Sequence, residues 1–276
     1  MTDGNFPPLV ITGASGRIGR LLLAGTRDGA LVRTGRQAGT GVDLVWDLEG
    51  RAPTLPQGAV ILHLAARLSG EGDLVAANLA MVRSVMRAAH ASGAARVLLA
   101  SSAAVYGAQA RDGEEDGPTL PVSPYGRAKL TCEAAARAWA GTVPLTVLRI
   151  GNVPGADALL GRGRQAGVTL DPVPGSAAGP VRSWIGPLRL AEVIFGLTRR
   201  SRTALPLCIN IASGPPLAMG DLLSAAGISW QFGPPRPLAV PRVVLCTRRL
   251  RAILPQAPVT AADLAAEWQA TLARAT

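Results

Sequence analysis

The stretch from Leu9 to Leu23 constrains what the rest of the chain can become. Leu9-Val10-Ile11-Thr12 reads as a short buried strand, Gly13-x-x-Gly16-x-x-Gly19 follows it directly, and Leu21-Leu22-Leu23 continues as a helix before Gly25. A strand that feeds a glycine-rich turn into a helix opens a βαβ unit. In that setting the three glycines serve the tight turn, the close approach of backbone to a pyrophosphate, and close helix packing. The helix N-terminus presents N–H groups and a favourable dipole to the anion. Gly13, Ser15, Gly16, Arg17, Ile18 and Gly19 are therefore expected to hold a dinucleotide.

Such a turn needs parallel strands beside the first. Further strands are expected at Ala30–Arg33, Ala59–Leu64, Ala95–Ala100, Val143–Leu148 and Leu207–Ile211. Helical spacing recurs over Leu74–Ala91, Pro124–Ala140 and Leu188–Arg199. The alternation predicts an α/β fold, a Rossmann-type doubly wound parallel sheet covered on both faces. After Ile150 the texture changes, because residues 151–186 are rich in Gly and Pro and lack periodicity. The expected division is a dinucleotide-binding domain over 1–150, rejoined by about 187–211. Residues 151–186 and 212–276 then form a small C-terminal substrate lobe over the sheet's carboxyl edge. Helices are expected there at Ala218–Ala226 and Ala261–Leu272, the second capped by Thr260 with Asp263 in its first turn.

Composition narrows the function classes. Of 276 residues 48% are hydrophobic and 17% charged, a balance that buries a core and excludes a mostly disordered chain. No apolar run of membrane-spanning length is free of charges or helix breakers, and Met1–Asn5 lacks the start of a secretory signal. A cytoplasmic protein without a membrane partner is expected. The net charge of +10 comes from arginine, Lys129 being the only lysine. Arg199-Arg200-x-Arg202 and Arg248-Arg249-x-Arg251 read as solvated surface, and aromatics at 4% are too few to interleave them for nucleic acid. Cys132, Cys208 and Cys246 are odd in number and widely spaced, and His63 and His90 have no metal-ligand spacing. Neither a disulfide framework nor a metal is expected.

Chemistry concentrates at Tyr125-x-x-x-Lys129. Four residues apart on a helix, a phenol and an ammonium share one face. With a bound nicotinamide ribose, the cation lowers the phenol's pKa and lets it exchange a proton with a substrate hydroxyl or carbonyl. Ser101-Ser102, just beyond an expected strand end, offers a hydroxyl to orient the same oxygen. The second strand ends Val32-Arg33-Thr34-Gly35-Arg36, without the acid that would accept from a bare ribose. Arg33 and Arg36 instead suit a 2′-phosphate, which favours NADP over NAD.

These residues together resemble the extended short-chain dehydrogenase/reductase family, in its NAD-dependent epimerase/dehydratase branch, over about residues 9–212. The resemblance rests on Gly13, Gly16 and Gly19, Asp47-Leu48, His63-Leu64-Ala65-Ala66, Asn78, Ser102 before Val105-Tyr106-Gly107, and Ser123-Pro-Tyr125-Gly-x-x-Lys129. It implies that Asp47 and Leu48 meet the adenine, and that Leu64, Ala65, Ala66 and Asn78 border the cofactor. Lys129 would hold the ribose, Tyr125 would act as acid/base, and Ser102, with Ala103 beside it, would orient the substrate. Asn152 and Arg182 match positions that bind nucleotide sugars in the family. Two departures point away from a large nucleotide: Arg189 replaces a usual aspartate, and the C-terminal lobe is short. Ala103 and Ala104 occupy the acid pair of the family's dehydratases and argue against that reaction.

The leading reading is an NAD(P)-dependent oxidoreductase acting on a secondary alcohol or ketone carbon of a sugar or related polyhydroxy compound. The alternatives are a nucleotide-sugar 4-epimerase with retained NAD and a non-catalytic dinucleotide-binding regulator. The resemblance also suggests a homodimer through the helix of Tyr125, whose small faces at Ala134-Ala135-Ala136 and Ala138 suit either that contact or packing against the protein's own sheet.

Overall fold

The computed structural model describes residues 6–24, 31–69, 72–161, 167–200, 205–236 and 239–275. Met1–Asn5, Gly25, Ala30 and Arg202, used above, lie outside the described residues. The strands are β1 (Leu9–Thr12), β2 (Leu31–Gly35), β3 (Leu44–Val45), β4 (Val60–His63), β5 (Arg96–Ser102), β6 (Leu145–Ile150), β7 (Val168–Leu170), β8 (Val181–Arg182), β9 (Cys208–Ile211), β10 (Leu217–Ala218), β11 (Trp230–Phe232) and β12 (Arg242–Val243). The helices are α1 (Arg17–Ala24), α2 (Leu74–Ala91), α3 (Pro124–Ala140), α4 (Pro187–Thr198), α5 (Met219–Ala225), α6 (Arg248–Ile253) and α7 (Ala261–Ala275), with a 3₁₀ turn at Ala103–Val105.

Side chains alternate along the central strands and so serve two layers at once. Leu9, Ile11, Val60, Leu62, Leu98 and Leu148 pack with Leu22 of α1 and with Leu190 and Ile194 of α4. Val10, Ile61, Val97, Leu99 and Val147 face the other way, against Val82, Val85 and Met86 of α2 and Cys132 and Ala136 of α3. The strands of this sheet pair in parallel in the order β3-β2-β1-β4-β5-β6-β9. It is the doubly wound arrangement the alternation predicts, and the strand order reverses between β1 and β4, where such sheets bind ligands. Register aligns Thr12 with His63 and Ser102 with Ile150, bringing four strand ends to one edge.

Local caps set the helices that frame this edge. Ser123 accepts from the Gly126 N–H, and Pro124 occupies the first turn of α3. The N-terminus of α4 has only Gly186 at its cap, and the Glu267 carboxylate of α7 accepts from the Leu188 and Arg189 N–H groups at 3.2 Å each. A distant segment thereby supplies the anion this helix end favours. Thr260 and Asp263 cap α7 reciprocally, with the Asp263 N–H donating to Thr260 Oγ1 and the Thr260 N–H to Asp263 Oδ2.

Segments 151–186 and 212–275 add a three-stranded sheet, β10-β8-β12, and the pair β11-β7. Trp184, Leu222, Leu223 and Trp268 bury themselves among these elements and α7. Two arginines of the second cluster, Arg248 and Arg249, are paired. Arg248 pairs with Glu114 at 2.6 Å, Arg249 with Asp116, and the nearby Arg242 with Asp112, so the acidic run 112–116 folds onto the C-terminal arginines. On α3, Ala136 is buried while Ala134 and Ala138 are exposed. No described helix is long and apolar enough to cross a membrane.

Candidate active site

Two clefts meet at the C-terminal edge of the main sheet. The first, about 440 Å³, is lined by Gly13, Ser15, Gly16, Arg17, Ile18 and Gly19, by Arg36, Asp47 and Leu48, by Leu64, Ala65 and Ala66, and at its inner end by Ser101, Tyr125 and Lys129. The second, about 450 Å³, holds Ser102, Ala103, Tyr125, Asn152 and Arg182. Arg17, Ser101 and Tyr125 border both.

The first cleft is walled by backbone. Gly13 has φ +73°, and a Cβ there would stand 2.6 Å from the Ala65 nitrogen, so the chain passes where no side chain fits. The Gly16 N–H closes the turn onto the Gly13 carbonyl at 2.9 Å. This bare cradle at the start of α1 fits the phosphates of a nicotinamide dinucleotide. At the far end, Asp47 Oδ1 accepts from the Glu49 and Gly50 N–H groups, which lowers its pKa. Leu48 beside it sits at φ 67°, a left-handed conformation that costs a non-glycine residue and recurs at binding sites.

Two residues expected at this cleft are elsewhere. Arg33 makes a two-pronged pair with Asp43, Nε to Oδ2 at 2.9 Å and Nη2 to Oδ1 at 2.8 Å, and its pairing holds the Asp43 carboxyl down at about 2. The guanidinium is thus committed away from a cofactor phosphate. Asn78 turns its amide to backbone, accepting from the Arg67 N–H and donating to the Arg67 and Leu74 carbonyls. It anchors the chain just after Leu64-Ala65-Ala66 instead of lining the cleft.

At the reacting end, Ser102 leaves β5 and its hydroxyl accepts from the Ala104 N–H at 3.2 Å, starting the 3₁₀ turn. The helix α3 presses against that turn because residue 126 is glycine; a Cβ there would lie 2.6 Å from the Ala104 carbonyl oxygen. Tyr125 is thereby set beside Ser102. Burial raises the phenol's pKa, and the hydrogen bond with Ser102 works against that rise. Lys129 is buried one turn on, and its Nζ donates to the Ala100 carbonyl at 2.8 Å. Burial lowers its ammonium to about 8. His63 contacts Thr12 Oγ1 through Nδ1 at 2.7 Å, and burial, followed by the Lys129 charge, takes it down to about 3. It is a neutral group of the interior.

Asn152 is fixed by the segment after β8, its N–H donating to the Ser183 carbonyl and its carbonyl accepting from the Ile185 N–H. Arg182 donates to the Val181 and Val240 carbonyls at 2.8 Å each, and burial lowers it to about 10. Sequence reasoning missed Asp157, which also lines the second cleft, accepts from the Leu160 N–H and is raised by burial to about 6. Nothing in its Gly- and Pro-rich surroundings singles it out.

A sequence profile for the "NAD dependent epimerase/dehydratase family" matches residues 54–169, the stretch that supplies Leu64, Ser102, Tyr125, Lys129 and Asn152 to the two clefts. The match spans less than half of the chain and is a likeness to that family over its central part. A search of curated proteins gives no match. Among solved structures, MoeE5 in complex with UDP-glucose and NAD superposes with TM-score 0.76 at 21% identity, over 97% of this chain and 99% of that one. UDP-glucuronic acid 4-epimerase from Bacillus cereus, in complex with UDP-glucuronic acid and NAD, gives 0.76 at 19%, over 98% and 100%. UDP-glucose 4-epimerase from Thermus thermophilus in complex with NAD gives 0.70 at 21%, over 95% and 99%. Identity at this level establishes a common fold.

Proposed function

We propose that this enzyme moves hydride off and back onto one carbon of a nucleotide sugar, epimerising it at that carbon. The observation that carries this reading is convergence: Ser102, Tyr125, Asn152 and Arg182 line one cleft, which joins the dinucleotide cleft at Tyr125. Tyr125 takes the proton of the reacting hydroxyl and later returns it, with Ser102 holding the same oxygen. Lys129 lends the positive charge that makes the phenol a competent base. The dinucleotide, when bound, supplies hydride acceptance and return. Asn152 and Arg182 grip the nucleotide's phosphates, for which a guanidinium fork is suited. The short lobe no longer weighs against a nucleotide, because proteins in complex with UDP-sugars align over 99–100% of their own length. This favours the epimerase over the exchanging reductase that composition and motifs put first.

At the adenosine end, the recess beside Ser15, Gly35 and Arg36 is lined without an acid. We infer that it admits a 2′-phosphate, and that NADP as well as NAD binds, through Arg36 alone. The deciding experiment is to purify the protein without added cofactor, quantify the nucleotide released on denaturation, and assay UDP-sugars with none added. Near-stoichiometric dinucleotide and a C4-epimerised product are expected. Empty protein that turns over a ketone only with added NADPH would replace the reading by the reductase. Tyr125→Phe should lose roughly 10²–10⁴-fold in kcat while still binding dinucleotide; undiminished turnover would remove Tyr125 from the mechanism.

A further inference from the structure

Tyr125, Lys129 and Glu133 stand four residues apart on α3 and form one stripe of the helix. The first two face the clefts, and the third lies beneath them, 1% exposed. Its carboxylate is fully engaged. Oε1 accepts from the Ser101 hydroxyl at 2.5 Å and from Arg149 Nε at 3.1 Å, and Oε2 accepts from Arg149 Nη2 at 2.8 Å. Ser101 directly precedes Ser102 on β5, and Arg149 lies on β6 just ahead of Asn152. Arg149 is held in turn, donating through Nη1 to the Tyr106 hydroxyl at 2.9 Å and lying 4.9 Å from that ring's centre. The Tyr106 hydroxyl donates to Asn210 Oδ1 at 2.8 Å. A buried network in which each of these groups is bonded is locked into one arrangement. One carboxylate therefore ties the helix of Tyr125 to the strand ends that lead into Ser102 and Asn152.

We propose that Glu133 is a positioning residue of this site, which fixes α3 against the ends of β5 and β6 and sustains the positive charge of Lys129. The proposal rests on the roles given above to Tyr125 and Lys129. Burial works against the Lys129 ammonium, and Cys132 and Glu133 support it. The other titratable and charged groups around the cluster are Tyr125 and Arg137 on α3, His63 on β4, Arg149 on β6, Cys208 on β9, and Tyr106 and Glu115 after β5. Glu133 and Arg149 pair at 2.8 Å and largely cancel each other's field. Removing the carboxylate leaves a guanidinium that opposes the ammonium, and removing the guanidinium leaves a carboxylate that favours it. The two changes act with opposite sign.

Because Lys129 is the only lysine, lysine labelled with ¹³C at Cε gives one side-chain resonance that titrates with this ammonium. The midpoint is expected to fall by about one pH unit in Glu133→Gln and to rise by about half a unit in Arg149→Gln. Midpoints within about 0.2 unit of the wild type in both variants would overturn the proposal. Ser101→Ala deletes only a hydroxyl and covers the case in which a buried charge change prevents folding. Its kcat should fall about tenfold with KM unchanged, the effect of losing one charge-assisted hydrogen bond, and a wild-type kcat would equally overturn the proposal. A wild-type protein inactive on every nucleotide sugar would sink the proposed function, while the lysine resonance would still report on Glu133.

Discussion

At the pyrophosphate end of the clefts the wall is main chain, Gly13 running within contact of Ala65, whereas at the substrate end it is side chain, with Asn152 and Arg182 held by carbonyls and N–H groups of Ser183, Ile185, Val181 and Val240. The first end depends on what residues lack, and the second on what distant segments bring. Gly13 admits no substitute without strain, since any Cβ meets backbone that cannot move aside. Arg182 is placed by β8 lying between β10 and β12, a pairing that draws together strands far apart in the chain.

The comparison can be broken most severely at Gly13. In Gly13→Ala the left-handed backbone alone costs about 1–2 kcal/mol, and the 2.6 Å contact with Ala65 adds to it. Dinucleotide affinity, followed by tryptophan fluorescence, should drop by about tenfold or more, since every 1.4 kcal/mol is one factor of ten. Normal binding would show that the cradle is not set by backbone. Arg182→Ala tests the other end. Losing a half-buried charged donor is worth about 1.5–3 kcal/mol, so KM for a nucleotide sugar should rise about ten- to a hundredfold with dinucleotide content intact. A KM unchanged from wild type would place the substrate's phosphates elsewhere.

The smallest effect separates two arginines that look alike in sequence. Arg36→Ala should weaken NADPH about tenfold and leave NADH unchanged, as expected for one exposed charge–phosphate contact. Arg33→Ala should change neither, since that guanidinium is already paired to Asp43. Equal loss in both variants would mean that the Arg33–Asp43 pair opens when cofactor binds.

What is legible in the sequence follows the same division. The glycine cradle, the parallel sheet and the Tyr125–Lys129 pair depend on residue type and short spacing, which sequence displays directly. Arg33 departs from expectation because its partner approaches through the pairing of β2 with β3, a strand of two residues too short to carry a period. Strands β8, β10 and β12 are equally short and escape notice for the same reason. Asn78 departs as well, because its amide is consumed by the backbone of Arg67, a contact that no helix pattern encodes. The arginines at 248 and 249 read as surface because their acids lie more than a hundred residues earlier. Glu133 alone is within reach, being the next step of the Tyr125–Lys129 spacing.

The outermost strand of the main sheet carries a consequence for how the chain is made. Val147 on β6 pairs with Cys208 on β9, so the sheet stays unfinished while the intervening residues leave the ribosome. During that interval β6 presents an unsatisfied edge whose side chains are all buried in the finished protein. Long-range parallel pairing closes slowly, and an open apolar edge invites intermolecular association in the meantime. A chain interrupted ahead of residue 208 therefore yields a template for aggregation in place of a smaller working enzyme.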